Sequence, residues 1–223
     1  MSKSIIIFGK GPSLLRCNKE FVNQYEDIAI INYPVLNPFF NSLIENRTIK
    51  YHFANCATYD TRYNDDINKQ LNIKGIYNTH CAHEGTNYRN YIKQKNIFQD
   101  NIREKGEEYL KKNNFKFDPS SGTLALQYIL NINLYNKICV VGFDCFQKNK
   151  PTYYYPVKEY NNKIKYLINH KIISENGIFL INSGHNSEKT KKYYEYEIQK
   201  NPNIEFLFIT NAIFNKFNNL KIL

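Results

Sequence analysis

Apolar residues along the chain fall into short runs, and most runs stop at a glycine or at an amide, hydroxyl or carboxylate side chain. Residues 4–9 (SIIIFG), 27–32 (DIAIIN), 49–55 (IKYHFAN), 137–144 (KICVVGFD), 177–182 (GIFLIN) and 204–210 (IEFLFIT) each read as a buried strand, and 73–79 (IKGIYNT) as a weaker one. Apolar runs of this length with little alternation mark strands covered on both faces. Between them the spacing turns helical. Pro12 suits the first turn of a helix. The lysine-rich stretch 88–112 is helical near residues 101–112, and 119–130 (PSSGTLALQYIL) opens a helix with a serine. Residues 157–173, rich in Tyr and Lys, also read as helical, and a further helix follows a cap at Asn186 or Ser187. Residues 56–72 are polar and irregular. Strands alternating with helices predict an α/β fold: one Rossmann-like domain over residues 1–223, its mostly parallel sheet flanked by helices, with a small lid at about 146–173.

Composition adjusts this picture only slightly. A chain of 223 residues with 42% hydrophobic residues can bury a core, and 15% of it is aromatic without any Trp. The formal net charge of +10 favours anionic partners. Lys, Asn, Ile and Tyr run high together, however, and the codon bias that produces this accounts for half or more of the basic excess. Five cysteines, at 17, 56, 81, 139 and 145, make an odd count with no CxxC pair. That pattern argues against a disulfide framework and for a reducing compartment. Met1-Ser2-Lys3 runs directly into the first strand, so a signal peptide is not expected. No apolar run is long enough to span a bilayer. The expected location is cytoplasmic, and the charge permits a peripheral hold on the cytoplasmic face of an anionic inner membrane.

Candidate chemistry gathers at strand ends. Gly9-Lys10-Gly11-Pro12-Ser13 follows the first strand, where two glycines allow a sharp turn and close approach of a ligand. A helix N-terminus there can hold an anion. Pro12 breaks the G-x-G-x-x-G pattern and no Gly-Lys-Ser/Thr closes a P-loop, so an ordinary tight turn reads equally well. Asn32, Asn55 and Asp144 end three further strands, which is where open parallel sheets bind ligands. Each alone reads as a turn former; together with the glycine turn they favour a nucleotide. Ser120, Ser121 and Gly122 form a second phosphate cradle or a plain N-cap. His185, in NSGHNS between a strand and a helix, is placed for proton transfer near neutral pH. Tyr153 and Tyr154, in TYYYP of the lid, can donate to a departing phosphate or simply pack. The cluster His80, Cys81, His83, Glu84 lacks the distant second pair of a zinc site. Asp65 and Asp66 are not at a strand end. No metal is expected.

This ordered set resembles the bacterial sialyltransferases of glycosyltransferase family 42, most of all the Campylobacter lipooligosaccharide enzymes. The likeness is carried by Gly-x-Gly-Pro-Ser-Leu, Asn32, Asn55, Ser-Ser-Gly, Val-Gly-Phe-Asp, a tyrosine-bearing lid, Gly-His-Asn-Ser and the tail YEIQKNPNIEFLFITNAIFNKF. It spans most of the chain and is weakest at 56–115. The resemblance implies a GT-A-like variant of the fold and a metal-independent, inverting transfer of a nonulosonate from a CMP-sugar to a glycan hydroxyl. It implies that His185 is the base and that Gly9, Gly11, Ser13, Asn32, Asn55, Ser120, Ser121, Gly122 and Asp144 lie about the donor nucleotide. Tyr153 or Tyr154 would serve the leaving phosphate. The chain departs from the family at three positions: Lys10 replaces an asparagine, Phe146 a tyrosine and Asp118 an arginine. Lys10 is expected to face the phosphate and offset the missing hydroxyl at Phe146. A homo-oligomer is compatible with this reading. The Gly-x-Gly-Pro-Ser-Leu opening and Gly-x-Asp strand end also resemble archaeal pterin pyrophosphokinases, whose chemistry needs Mg²⁺ and acidic ligands. A basic nucleic-acid-binding module fits less well, because the lysines are spread along the chain.

Overall fold

A computed structural model of the chain describes residues 3–32, 38–54, 71–79, 98–145 and 187–223. Eight strands form one sheet in the order β5-β4-β3-β2-β1-β6-β7-β8, and every neighbouring pair is parallel. They are β1 (Ser4–Phe8), β2 (Asp27–Ile31), β3 (Ile49–Ala54), β4 (Ile76–Asn78), β5 (Phe98–Asn101), β6 (Lys137–Val141), β7 (Glu205–Ile209) and β8 (Leu220–Ile222). The fold is α/β and Rossmann-like, as the alternation of strands and helices predicts.

Two of the strands are not legible as apolar runs. β5 has the sequence FQDN in the polar, lysine-rich stretch 88–112, just ahead of the part read as helical, and β8 is only three residues long and largely exposed. Both stand at sheet edges, where one-sided pairing removes the need for two apolar faces. Helices show similar differences. Pro12 opens a single 3₁₀ turn (Pro12–Arg16), followed by the short α1 (Lys19–Val22), whose cap Asn18 accepts from Phe21 N–H at 2.8 Å. α2 (Pro38–Ile44) was not anticipated; Phe40, Leu43 and Ile44 give it one buried stripe. α3 (Ile102–Lys112), α4 (Ser121–Asn131) and α5 (Ser187–Lys200) match their predicted places. The expected strand at 177–182 and the expected lid at 146–173 lie outside the described residues.

The order of the strands explains how the layers form. The chain moves outward from β1 to β5, then returns to pair β6 against the other side of β1. Right-handed crossovers put connections of opposite direction on opposite faces. The 3₁₀ turn, α1 and α2 therefore cover one face, where Phe8 meets Phe40 edge-on at 5.7 Å. α3, α4 and α5 cover the other, over Ile5, Ile7, Phe53, Val140, Phe206 and Phe208. β1 is buried at all five positions because it sits between both layers. The reversal of direction between β1 and β6 opens a crevice at their carboxyl ends, which is where such sheets bind ligands.

One of the buried polar residues is a histidine. His52 on β3 is fully buried, and burial pushes its pKa down to about 3. The charge of Lys10 acts in the same direction, against a hydrogen bond to the Asn32 backbone. The unfolded chain takes up this proton near its ordinary value of 6.5 while the folded chain stays neutral. Protonation therefore favours unfolding, and stability falls with pH below that value by up to about 1.4 kcal/mol per pH unit from this residue. Glu197, raised by burial, works in the opposite sense at more acid pH. Urea unfolding of His52→Gln should show a shallower loss of stability than wild type between pH 6.5 and about pH 5. Equal slopes would mean that His52 is not buried neutral.

Candidate functional site

The Gly-Lys-Gly turn is built against the end of β6. Gly9 N–H donates to Val141 O at 2.7 Å, extending the β1–β6 ladder, and Gly11 N–H donates to Gly142 O at 2.9 Å. Gly142 N–H in turn donates to Ile209 O of β7 at 3.1 Å. The backbones are so close that no side chain fits between them. A Cβ on Gly9 would lie 2.6 Å from Gly142 O, and one on Gly11 would lie 2.2 Å from Asp144 Oδ2. Gly142 has φ +74°, a left-handed conformation that favours glycine. The second glycine of the turn thus has a structural reason: the space beside it holds the Asp144 carboxylate.

Asp144 closes the junction. Its Oδ2 accepts from Ser13 N–H at 3.0 Å and its Oδ1 from Asn211 N–H at 2.6 Å. Thr210 Oγ1 stands 2.8 Å from Phe143 O and 3.2 Å from Asp144 Oδ1. Ser13 Oγ donates to Ile209 O at 3.0 Å. Ser13 and Asp144, both expected to lie about the donor, bond to each other and to the β7 end. The start of the 3₁₀ turn already carries a protein carboxylate, which takes the place an external anion would need.

The second cradle is arranged differently. Ser120 caps α4, its Oγ accepting from Thr123 N–H at 3.2 Å. Ser121 Oγ lies 2.7 Å from Thr79 Oγ1 at the end of β4. The N–H groups of Ser121 and Gly122 are in the first turn of α4 and have no carbonyl partner within the helix. Gly122 lies over the strand ends: a Cβ there would be 3.2 Å from the Phe143 ring and 3.5 Å from Ile31 Cδ1. Phe143 is therefore wedged between Gly9 and Gly122, with Tyr194 of α5 at 6.0 Å. Arg103 of α3 holds the approach to this turn. Its guanidinium donates to Glu107, to Asp118 and to Pro119 O. A guanidinium thus stands beside position 118, supplied from another element.

Asn32 follows β2 with φ 54°, its N–H donating to Phe53 O at 2.7 Å. The left-handed backbone alone favours Asn at this position. Lys10 is half-buried and lies within electrostatic range of His52 on β3, so it stands on the β2–β3 side of the crevice. The structure therefore brings Gly9, Lys10, Gly11, Asn32, Ser121 and Gly122 to the carboxyl end of the sheet, with Gly9 and Gly122 flanking Phe143. Asn55, Tyr153, Tyr154 and His185 lie outside the described residues. Sequence reasoning missed Thr79, Thr210, Gly142 and Arg103. The two threonines end predicted strands, so the signal that singled out Asn32 applied to them as well.

Lys10 charge, the α4 N-terminus and the Thr79–Ser121 hydroxyl pair together offer donors to an anion with oxygen acceptors. No family model, curated protein or solved structure matches the chain. If Asp144 is a clasp, Asp144→Ala should lower stability by about 2–3 kcal/mol in urea unfolding. Gly11→Ala should cost a further comparable amount through overpacking. An Asp144→Ala protein as stable as wild type would contradict this role.

Proposed function

We propose that the protein is an inverting, metal-independent glycosyltransferase that moves sialic acid or a related nonulosonate from a CMP-sugar to a glycan hydroxyl. The observation that supports this reading is the convergence of the family-like motifs at one sheet end. Gly-Lys-Gly, Asn32 and Ser-Ser-Gly come from three distant parts of the chain and lie at one sheet end near the switch point, where Gly9 and Gly122 flank Phe143 and Ile31, next to Asn32, lies beside Gly122. The donor phosphate would lie between Lys10 and the first turn of α4, and the Asn32 amide would face the nucleoside. His185 would take the acceptor hydroxyl proton as that oxygen bonds to the anomeric carbon. The bond from that carbon to the phosphate would break, releasing CMP, with Tyr153 or Tyr154 donating to the leaving group.

The chemistry asks for little else. The anomeric carbon is tertiary and the leaving group is a stable phosphate, so deprotonating the acceptor and stabilising the phosphate carry the reaction. Lys10 supplies a charge where the resembling family has a neutral amide.

Calorimetry with CMP in the absence of divalent ions, and transfer assays with CMP-sialic acid, test the reading. His185→Ala should retain CMP binding and lose about 100-fold or more in kcat. Lys10→Asn should weaken CMP binding by about tenfold. Absence of CMP affinity would overturn the proposal. Binding of ATP that requires Mg²⁺ would favour the pyrophosphokinase resemblance instead.

A further inference from the structure

Among the described residues, five asparagines and Cys145 have a positive φ. Asn46, Asn72, Asn114 and Asn133 are exposed turn residues. Asn32 differs: it is half-buried at the exit of β2, on the carboxyl end of the sheet. The left-handed region suits Asn better than most residues, yet a chain leaving a strand through it must still satisfy both of its redirected backbone groups.

Two successive residues of β3 do this. Asn32 N–H donates to Phe53 O at 2.7 Å, continuing the ladder in which Ile30 pairs with His52 and Ile31 with Phe53. The His52 ring bonds to the Asn32 backbone. The N–H is already engaged by Phe53, so the ring donates and the Asn32 carbonyl accepts. A neutral imidazole carries one N–H, and His52 spends it on this turn.

Packing alone does not call for a histidine here. Tyr51 and Phe53 face the core under α3, α4 and α5, so His52 between them points to the opposite layer. It is fully buried in that layer, whose strand residues include Phe8, Ile28 and Ile30. Burying a polar ring costs free energy that Val or Ile at the same position would not. A residue that breaks the apolar pattern of an inner strand points to a role besides packing.

We propose that His52 is a positioning residue for Asn32: it fixes the backbone from which the Asn32 amide projects, and so places that amide against the nucleoside half of the ligand. The inference rests on the proposed reading of the site, in which Asn32 faces the nucleoside while Lys10 and the start of α4 face the phosphate. Without the ring N–H the Asn32 carbonyl turns to water and the left-handed exit relaxes. The phosphate donors stand on other elements and stay in place, so the two halves of the ligand respond differently.

Calorimetry with CMP, and with pyrophosphate as a probe of the phosphate half alone, tests this. His52→Leu and Asn32→Gly should each weaken CMP binding by about tenfold and leave pyrophosphate binding within about twofold. Glycine keeps the left-handed backbone and drops the amide. The double variant should bind CMP no more weakly than either single, since no amide remains to be placed. His52→Asn or His52→Gln, whose amide N–H stands in for one ring nitrogen, should recover part of the loss. Circular dichroism checks folding, and His52→Val, a good strand former, replaces the leucine if that variant does not fold. Losses that multiply to about 100-fold in the double variant would overturn the proposal. So would equal losses for CMP and pyrophosphate, or CMP binding indifferent to His52. Those results leave the nucleotide reading standing, whereas a wild-type protein without CMP affinity would overturn both.

Discussion

The architecture turns on how closely the backbones of β1 and β6 can approach once their strands end. Gly9, Gly11 and Gly142 allow the two turns to hydrogen bond to each other rather than to side chains. Asp144 then bridges Ser13 and Asn211, tying together the exits of β1, β6 and β7. Three strands leave the sheet here in different directions, and each exit would otherwise leave backbone donors unsatisfied. A carboxylate that accepts from two of them fixes the turn geometry without an external ligand.

That arrangement divides the carboxyl end of the sheet into two halves. On the β7 side the polar groups are occupied by Asp144, Thr210 and Ser13. On the β2–β4 side, Asn32 and Thr79 end their strands and the first turn of α4 lies over Phe143, with Thr79 Oγ1 bonded to Ser121 Oγ. An anionic ligand is thus expected on the β2 side of the crevice, away from the Asp144 charge. Lys10 belongs to both aspects: its backbone is part of the glycine junction, and its charge reaches across toward His52. Arg103 steadies the same half from α3 by holding the loop before Ser120.

Much of this was legible in the chain, for identifiable reasons. β1, β2, β3, β6 and β7 are apolar runs because they lie between two helical layers, and Ser120 reads as a cap because its hydroxyl serves Thr123 N–H. β5 and β8 escaped because edge strands need no continuous apolar run. α2 is too short to establish a period. The glycine turn was legible as a tight turn, but not the cause of its tightness. Asp144 lies 131 residues beyond Ser13 in sequence, and no local pattern records that contact. Ser13 and Asp144 carry the residue types expected of ligand-binding groups and spend them on each other. Gly122 and Phe143 show the converse: their proximity comes from the crossover that lays α4 back over the sheet.

The central claim is that a nucleotide phosphate sits between Lys10 and the start of α4. The most direct measurement is a titration with CMP followed by backbone amide NMR shifts. The account expects the amides of Lys10, Asn32, Ser121 and Gly122 to move together with one dissociation constant, while those of Asn203 and Asn219 at the opposite end of the sheet stay fixed. Shifts confined to that opposite end, or none at saturating CMP, would contradict it.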